Sequence, residues 1–179
     1  MAIANKIIPH YTYDDWIHWE GKWELIEGFP IAMSPTPVLP HQRAAAELIT
    51  ELTLALRKSN CKKCKVYDFL DYKITDDTIL VPDILVICGA ITKKYVDFPP
   101  SLVIEILSPS TALRDRHTKY ELYQQQGVKY YLLVDVDKKS IEVYKFQDEQ
   151  YSLQPMDGSY IFQFNDNCSI TPDMRTIFD

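Results

Sequence analysis

Two stretches, Val81-Pro82-Asp83-Ile84-Leu85-Val86-Ile87 and Leu102-Val103-Ile104-Glu105-Ile106-Leu107-Ser108, decide how this chain reads. Each is a short apolar run of the length and composition that form a buried strand. Each also carries a single carboxylate where a core would want none. A charge is costly to bury unless a partner compensates it, so two such groups on successive apolar segments point to a shared cation. Side chains alternate along a strand, which puts Val103, Glu105 and Leu107 on one face and Ile104 and Ile106 on the other. Pro82 belongs at a strand start or an edge. If the two strands are neighbours, Asp83 and Glu105 converge on one spot. Magnesium favours one or two carboxylates with waters and phosphate oxygens, and this pair is such a set. The competing account is structural: Asp83 capping a turn, and Glu105 joined to a base as an ion pair.

Downstream, Ser108-Pro109-Ser110-Thr111 signals a helix entry, residues 113–126 read as a long helix, and Gly127 is placed as its C-cap. On that helix Asp115 and Lys119 stand four residues apart. They form a surface salt bridge of about 0.3–0.5 kcal/mol, or Lys119 serves the site. In the second case Lys119 orients or deprotonates the attacking water, or offsets charge growing on a phosphate. Residues 129–136 form an apolar strand, and residues 141–147 and 150–155 a meander, with Lys138-Lys139 at a hairpin turn. Upstream, Tyr11, Tyr13, Trp16, Trp19 and Trp23 cluster near a short helix over 15–20 with Asp14 as N-cap. Residues 23–33 read as two strands about Gly28, and Pro35, Pro37 and Pro40 as a rigid connector. Residues 41–58 form the first long helix, with one apolar face. Residues 65–72 resemble a strand, followed by a turn at Asp76-Asp77.

Strands around two amphipathic helices indicate an α/β sandwich with a mixed sheet, and 179 residues fit a single domain, 1–179. No apolar run approaches the roughly 18 residues that cross a bilayer, and the first ten residues lack the features of a secretion signal. The expected compartment is the cytoplasm, with no membrane partner. A net charge of -6 argues mildly against nucleic acid, although bases cluster at Arg57-Lys58, Lys62-Lys63-Lys65, Lys93-Lys94 and Arg114-Arg116-Lys119. Cys61-Lys62-Lys63-Cys64 has half of a zinc-ribbon spacing with no second pair after it, so the four cysteines are expected as free thiols. Ser108 lies in a Ser-Pro turn without a nucleophile elbow. There is no phosphate-cradling Gly-rich loop, and an organic cofactor is not expected.

Val81-Pro82-Asp83, Glu105-Ile106-Leu107-Ser108-Pro109-Ser110-Thr111, Arg114-Asp115 with Lys119-Tyr120, Tyr123, Gly127-Val128 and Tyr130-Tyr131-Leu132-Leu133-Val134-Asp135 together resemble the Uma-type putative restriction endonucleases. This family is a branch of the PD-(D/E)XK nuclease superfamily. Trp23-Glu24-Leu25-Ile26-Glu27-Gly28, Met33-Ser34-Pro35 and His41 extend the likeness, which runs from about Trp16 to Val136. The resemblance implies a restriction-endonuclease-like α/β fold, a mixed central β-sheet flanked by α-helices. It implies DNA as partner and phosphodiester hydrolysis with Mg²⁺, for which Mn²⁺ substitutes. Asp83 and Glu105 match the metal-binding acids. The superfamily lysine would stand two residues after Glu105, where this chain has Leu107, and Lys119 is the matching residue on the following helix. Glu24, His41 and Glu47 are additional site candidates, each with a plain structural alternative. A homodimer is expected by analogy, since cutting two strands calls for two sites. The rival function is a catalytically inactive nuclease-fold module that binds protein or nucleic acid, a reading that Leu107 and the acidic balance favour.

Overall fold

The computed structural model describes residues 8–33 and 39–179. The chain opens with a short helix α1 (Tyr13–Trp16), then the hairpin β1 (Trp23–Ile26) and β2 (Phe29–Ala32). The helix starts earlier than Asp14 would place it: Thr12 is the N-cap, and its backbone N–H donates to Asp15 Oδ2 at 2.9 Å. The hairpin turns at Glu27-Gly28, both with positive φ (48° and 78°), the backbone that a tight two-residue turn requires. Helix α2 (Leu39–Lys58) buries Ala44, Leu48, Leu52 and Leu56, a stripe of one residue every four. Pro40 lies in its first turn, where a missing N–H does no harm. Pro35 and Pro37, the rest of the expected connector, lie outside the described residues.

The strand expected over 65–72 is two, β3 (Cys64–Asp68) and β4 (Tyr72–Thr75), divided at Phe69, whose φ is 44°. The strand that holds Asp83 is also divided, into β5 (Thr78–Leu80) and β6 (Ile84–Cys88). The break falls at Val81-Pro82-Asp83, because Pro82 has no N–H for a ladder. Asp83 therefore stands just ahead of β6 rather than within it. β7 (Leu102–Ile106) is as expected and wholly buried. The second long helix is interrupted: α3 (Ala112–Arg114), a π-helical segment (Asp115–Lys119) and α4 (Tyr120–Gln125) follow one another, and Gly127 (φ 70°) ends the run. β8 (Tyr130–Asp135), β9 (Ser140–Gln147) and β10 (Gln150–Gln154) form the meander, and the turn before β9 holds Lys139 at φ 50°. The hairpin β11 (Phe162–Asn165) and β12 (Cys168–Ile170) and a 3-10 turn (Arg175–Phe178) complete the chain.

Six strands form the central sheet in the order β10-β9-β8-β7-β6-β3. β7 and β8 are parallel and the other pairs antiparallel, so the sheet is mixed. A parallel pair needs a crossover, and the α3–π–α4 run is that crossover. Both faces of the sheet are covered, which is why its middle strands are apolar except for Glu105 on β7 and Asp135 at the end of β8. On one face Ile84, Ile104 and Ile106 pack with the α2 stripe and with Phe162, Cys168 and Ile177 of the C-terminal segment. On the other, Leu85, Val103 and Leu133 pack with Tyr123 of the crossover and with Ile26, Tyr72 and Leu80 of a second sheet, ordered β2-β1-β5-β4. Glu105 shares the second face with Val103.

The cysteines depart from expectation. They are not free thiols: Cys61 is bonded to Cys168, and Cys64 to Cys88. Sequence spacing could not show this, since Cys61 and Cys168 stand 107 residues apart. Among the described residues, no helix is long and apolar enough to cross a membrane.

Candidate active site

β6 and β7 pair with Ile84 opposite Ile104. One step further along the register, Asp83 comes beside Glu105. The ladder continues there through a side chain: Ile106 N–H donates to Asp83 Oδ2 at 2.8 Å. His41, in the first turns of α2, approaches the same oxygen through Nε2 at 3.3 Å. Burial alone would lower the affinity of this imidazole for a proton, but the Asp83 carboxylate outweighs burial and its pKa is raised.

Glu105 points from β7 toward the crossover. Its Oε1 accepts from Lys119 Nζ and from the Tyr123 hydroxyl, both at 2.9 Å. Lys119 is also 2.7 Å from Glu24 Oε1 and 3.7 Å from Asp115 Oδ1. Glu24 comes from β1 and is held by the Val81 N–H at 3.0 Å and by Arg114 Nη2 at 3.4 Å. Glu24, Glu105, Asp115 and Lys119 are all at least 97% buried. The π-helical segment brings Asp115 and Lys119 inward together, and Tyr131 anchors it by donating its hydroxyl to the Asp115 carbonyl at 2.8 Å. Wide turns of this kind recur at functional sites. The Asp115–Lys119 pair is thus a buried contact and not the surface salt bridge of the plainer sequence reading.

Electrostatics set the protonation states. Desolvation works against the Lys119 ammonium, but Glu105, Glu24 and Asp115 overcome it and raise its pKa. The raised pKa favours the ammonium form, which suits orientation and charge offset better than proton abstraction. Burial pushes Glu105 well above the usual carboxylate range despite Lys119, and neighbouring carboxylates add to the rise. Asp115 is raised for the same first reason. Burial and the nearby Glu105 also raise Tyr123, which keeps its hydroxyl a donor.

A cleft of about 260 Å³ opens onto this cluster, lined by Lys22, His41, Asp83, Glu105, Arg114 and Lys119, with the turn from Ser108 to Thr111 on one side. Glu24 lies behind Lys119 and does not line the cleft. Glu47 pairs with Arg43 at 3.0 Å, one helical turn away on α2, and is not part of the lining. Leu107, at the motif-lysine position, packs against the apolar cluster on the Tyr123 face. Asp115 and Arg114 are members of the cluster that residue reasoning had not assigned a role in the chemistry. Glu24 carried the same signal as Glu105, a carboxylate in an apolar strand, and could have been ranked higher on that ground.

A mixed sheet with a parallel pair, Glu105 on β7, Asp83 just ahead of β6 and Lys119 on the crossover define an α/β protein with a buried carboxylate–lysine cluster. The fold is shared with a crystal structure described as a putative nuclease belonging to DUF820 from Anabaena variabilis ATCC 29413: TM-score 0.71, 20% identity, 93% of this chain and 97% of that one covered. Residues 11–175 match the Uma2 family, described as "Putative restriction endonuclease", and the chain belongs to that family. A Synechocystis sp. protein described as uncharacterized is 38% identical over 71 residues; the match covers 38% of this chain and 37% of that relative, little more than a third of its length.

Proposed function

We propose that the chain is a magnesium-dependent endonuclease that hydrolyses DNA phosphodiester bonds, with Asp83 and Glu105 as the metal-binding acids. The observation that carries this reading is a charge imbalance. Four carboxylates (Glu24, Asp83, Glu105 and Asp115) share one cluster with two permanent cations, Lys119 and Arg114. Buried charges of one sign need compensation, and hard oxygen donors facing a cleft fit Mg²⁺, with Mn²⁺ a substitute. Asp83, Glu105 and Asp115 line the cleft, while Glu24 does not; Glu24 and Asp115 also support Lys119.

A bound Mg²⁺ would polarise the phosphate and acidify a water for in-line attack. The protein's own groups do the rest. Lys119, fixed by three carboxylates, holds a positive charge beside the reacting phosphate and offsets the charge that grows there. Tyr123 and Lys119 both donate to one oxygen of Glu105, which fixes the direction of the carboxylate. His41 and the Ile106 N–H do the same for Asp83. Lys22 and Arg114 at the cleft supply positive charge for flanking phosphates. Cleavage of both strands of a duplex requires two such sites, and we infer a homodimer for that substrate.

The test is cleavage of single- and double-stranded DNA with Mg²⁺ or Mn²⁺, then with chelator. Metal-dependent cutting that Asp83→Ala and Glu105→Ala both abolish, in folded protein, supports the reading. Undiminished cutting in both variants overturns it. DNA binding without cutting in the presence of metal would instead favour the inactive binding module, a reading supported by Leu107 at the motif-lysine position.

A further inference from the structure

Four sulfurs form the second cluster of reactive groups, and the proposed hydrolysis does not use them. Cys61 follows α2, Cys64 opens β3, Cys88 ends β6 and Cys168 opens β12. Although bonded in two pairs, they are not two separate staples. Cys64 Sγ stands 3.5 Å from Cys168 Sγ. The sulfurs of Cys61, Cys64 and Cys168 all lie within 4.8 Å of one another, on buried residues. Cys61 and Cys64 sit on a tight turn closed by the Cys64 N–H donating to the Cys61 carbonyl at 3.0 Å. Two cysteines separated by two residues, completed by cysteines from distant strands, are the donor arrangement of a four-thiolate zinc site. In such a site, sulfurs about 2.3 Å from the ion stand a little under about 4 Å from each other. Cys64 and Cys168 already stand near that spacing, and Cys88, bonded to Cys64, supplies the fourth sulfur beside the group of three.

We propose that the reduced chain binds one Zn²⁺ through Cys61, Cys64, Cys88 and Cys168. Two equivalents of a dithiol reductant deliver four electrons and four protons, which breaks both S–S bonds and leaves four thiols and two oxidised dithiols. Zinc then displaces four protons and is held by four thiolates, a centre with a net charge of minus two. Arg57, Lys62 and Lys65 border the adjoining cleft. Their charges favour thiolates over thiols and offset the anionic centre, which gives the local basic cluster of an otherwise acidic chain a role other than binding phosphate. Soft sulfur donors select zinc, whereas the oxygen donors around Asp83 select magnesium, so the two sites do not compete for one ion. Zinc would tie together the same segments that the disulfides tie, so the zinc-loaded reduced chain would keep the fold.

The test uses the full chain, reduced anaerobically with dithiothreitol, freed of reductant and titrated with Co²⁺ and then Zn²⁺. We expect four titratable thiols per chain and an intense sulfur-to-cobalt charge-transfer band with the visible bands of a tetrahedral ion. The signal should saturate at one Co²⁺ and vanish on addition of one equivalent of Zn²⁺. It should persist in an Asp83→Ala/Glu105→Ala double variant and be lost in Cys61→Ser/Cys168→Ser. If reduction unfolds the chain, recovery of its circular dichroism with one equivalent of Zn²⁺ supports the site, and failure to recover overturns it. Disulfides that resist the reductant in the folded protein, or only the weak spectrum of octahedral cobalt, also overturn it. None of these readouts depends on nuclease activity.

Discussion

β6 touches two clusters of opposite character: Asp83 stands at its entrance and Cys88 is its last residue. Five strand steps of about 3.4 Å separate them by roughly 17 Å. At the entrance, carboxylates outnumber permanent cations, and burial raises both Glu105 and Asp115. At the far end, every sulfur is bonded and three of the four cysteines are buried. One end of the strand holds buried carboxylates in excess of the permanent cations, which costs folding free energy; the other holds covalent links that favour folding.

The largest expected effect lies at the charged end. Asp83→Ala and Glu105→Ala should each lower the rate of metal-dependent DNA cleavage by at least about a hundred-fold, measured at saturating Mg²⁺ with circular dichroism to confirm folding. A variant that cuts normally would mean that the imbalance is structural only. At the sulfur end the effect falls on stability. Cys61→Ser/Cys168→Ser opens a cross-link over 107 residues, and Cys64→Ser/Cys88→Ser one over 24. Chain entropy makes these worth about 5 and about 3 kcal/mol in turn. Urea unfolding of the two double variants under non-reducing conditions checks the order. Equal losses would show that strain or residual structure, not loop length, governs the cross-links.

Lys119 is the group on which the charged cluster balances. Lys119→Met leaves Glu24, Glu105 and Asp115 buried without their shared ammonium. Breaking a buried pair by removing one partner costs about 3–5 kcal/mol, so this variant should lose stability as well as activity. Adding Glu24→Gln should restore part of the stability and none of the activity. If Lys119→Met alone unfolds at the wild-type urea concentration, the cluster is better solvated than its burial indicates.

The two ends were not equally legible in the sequence. Asp83 and Glu105 announced themselves because a carboxylate in an apolar run is a local conflict, visible without a fold. The mixed sheet followed from the order of strands around two amphipathic helices. The π-helical segment left no trace, because Asp115 and Lys119 are spaced as on an ordinary α-helix; only packing shows that both turn inward. Arg114 joins the cluster through Glu24, a contact 90 residues distant in the chain that no local pattern encodes. The break of β5 from β6 could have been foreseen from Pro82. The cysteine pairing could not, since Cys64 meets Cys88 by strand register and Cys61 meets Cys168 by the docking of the C-terminal hairpin.

The smallest expected effect is a pH dependence with a definite sign. The pKa of Glu105 is raised in the folded protein, so above its unfolded value of 4.5 the folded chain holds a proton that the unfolded chain has released. Stability then falls as pH rises from that point toward the folded pKa. Asp115 acts in the same direction. His41 does too: its raised pKa stabilises the fold below its ordinary value of 6.5, and that contribution fades as pH climbs through the folded pKa. Exposed carboxylates with lowered pKa values, such as Asp173, act the opposite way, so the total curve mixes signs. The difference between Glu105→Gln and wild type isolates one group. In chelator, Glu105→Gln should gain melting temperature relative to wild type as pH rises from about 5 to about 8; a single pK unit corresponds to about 1.4 kcal/mol. Mg²⁺ should erase the gain, because the ionised Glu105 then has its counter-charge. A flat difference in chelator would mean that Lys119 alone satisfies Glu105, and that the charged end of β6 opposes folding no more than the sulfur end does.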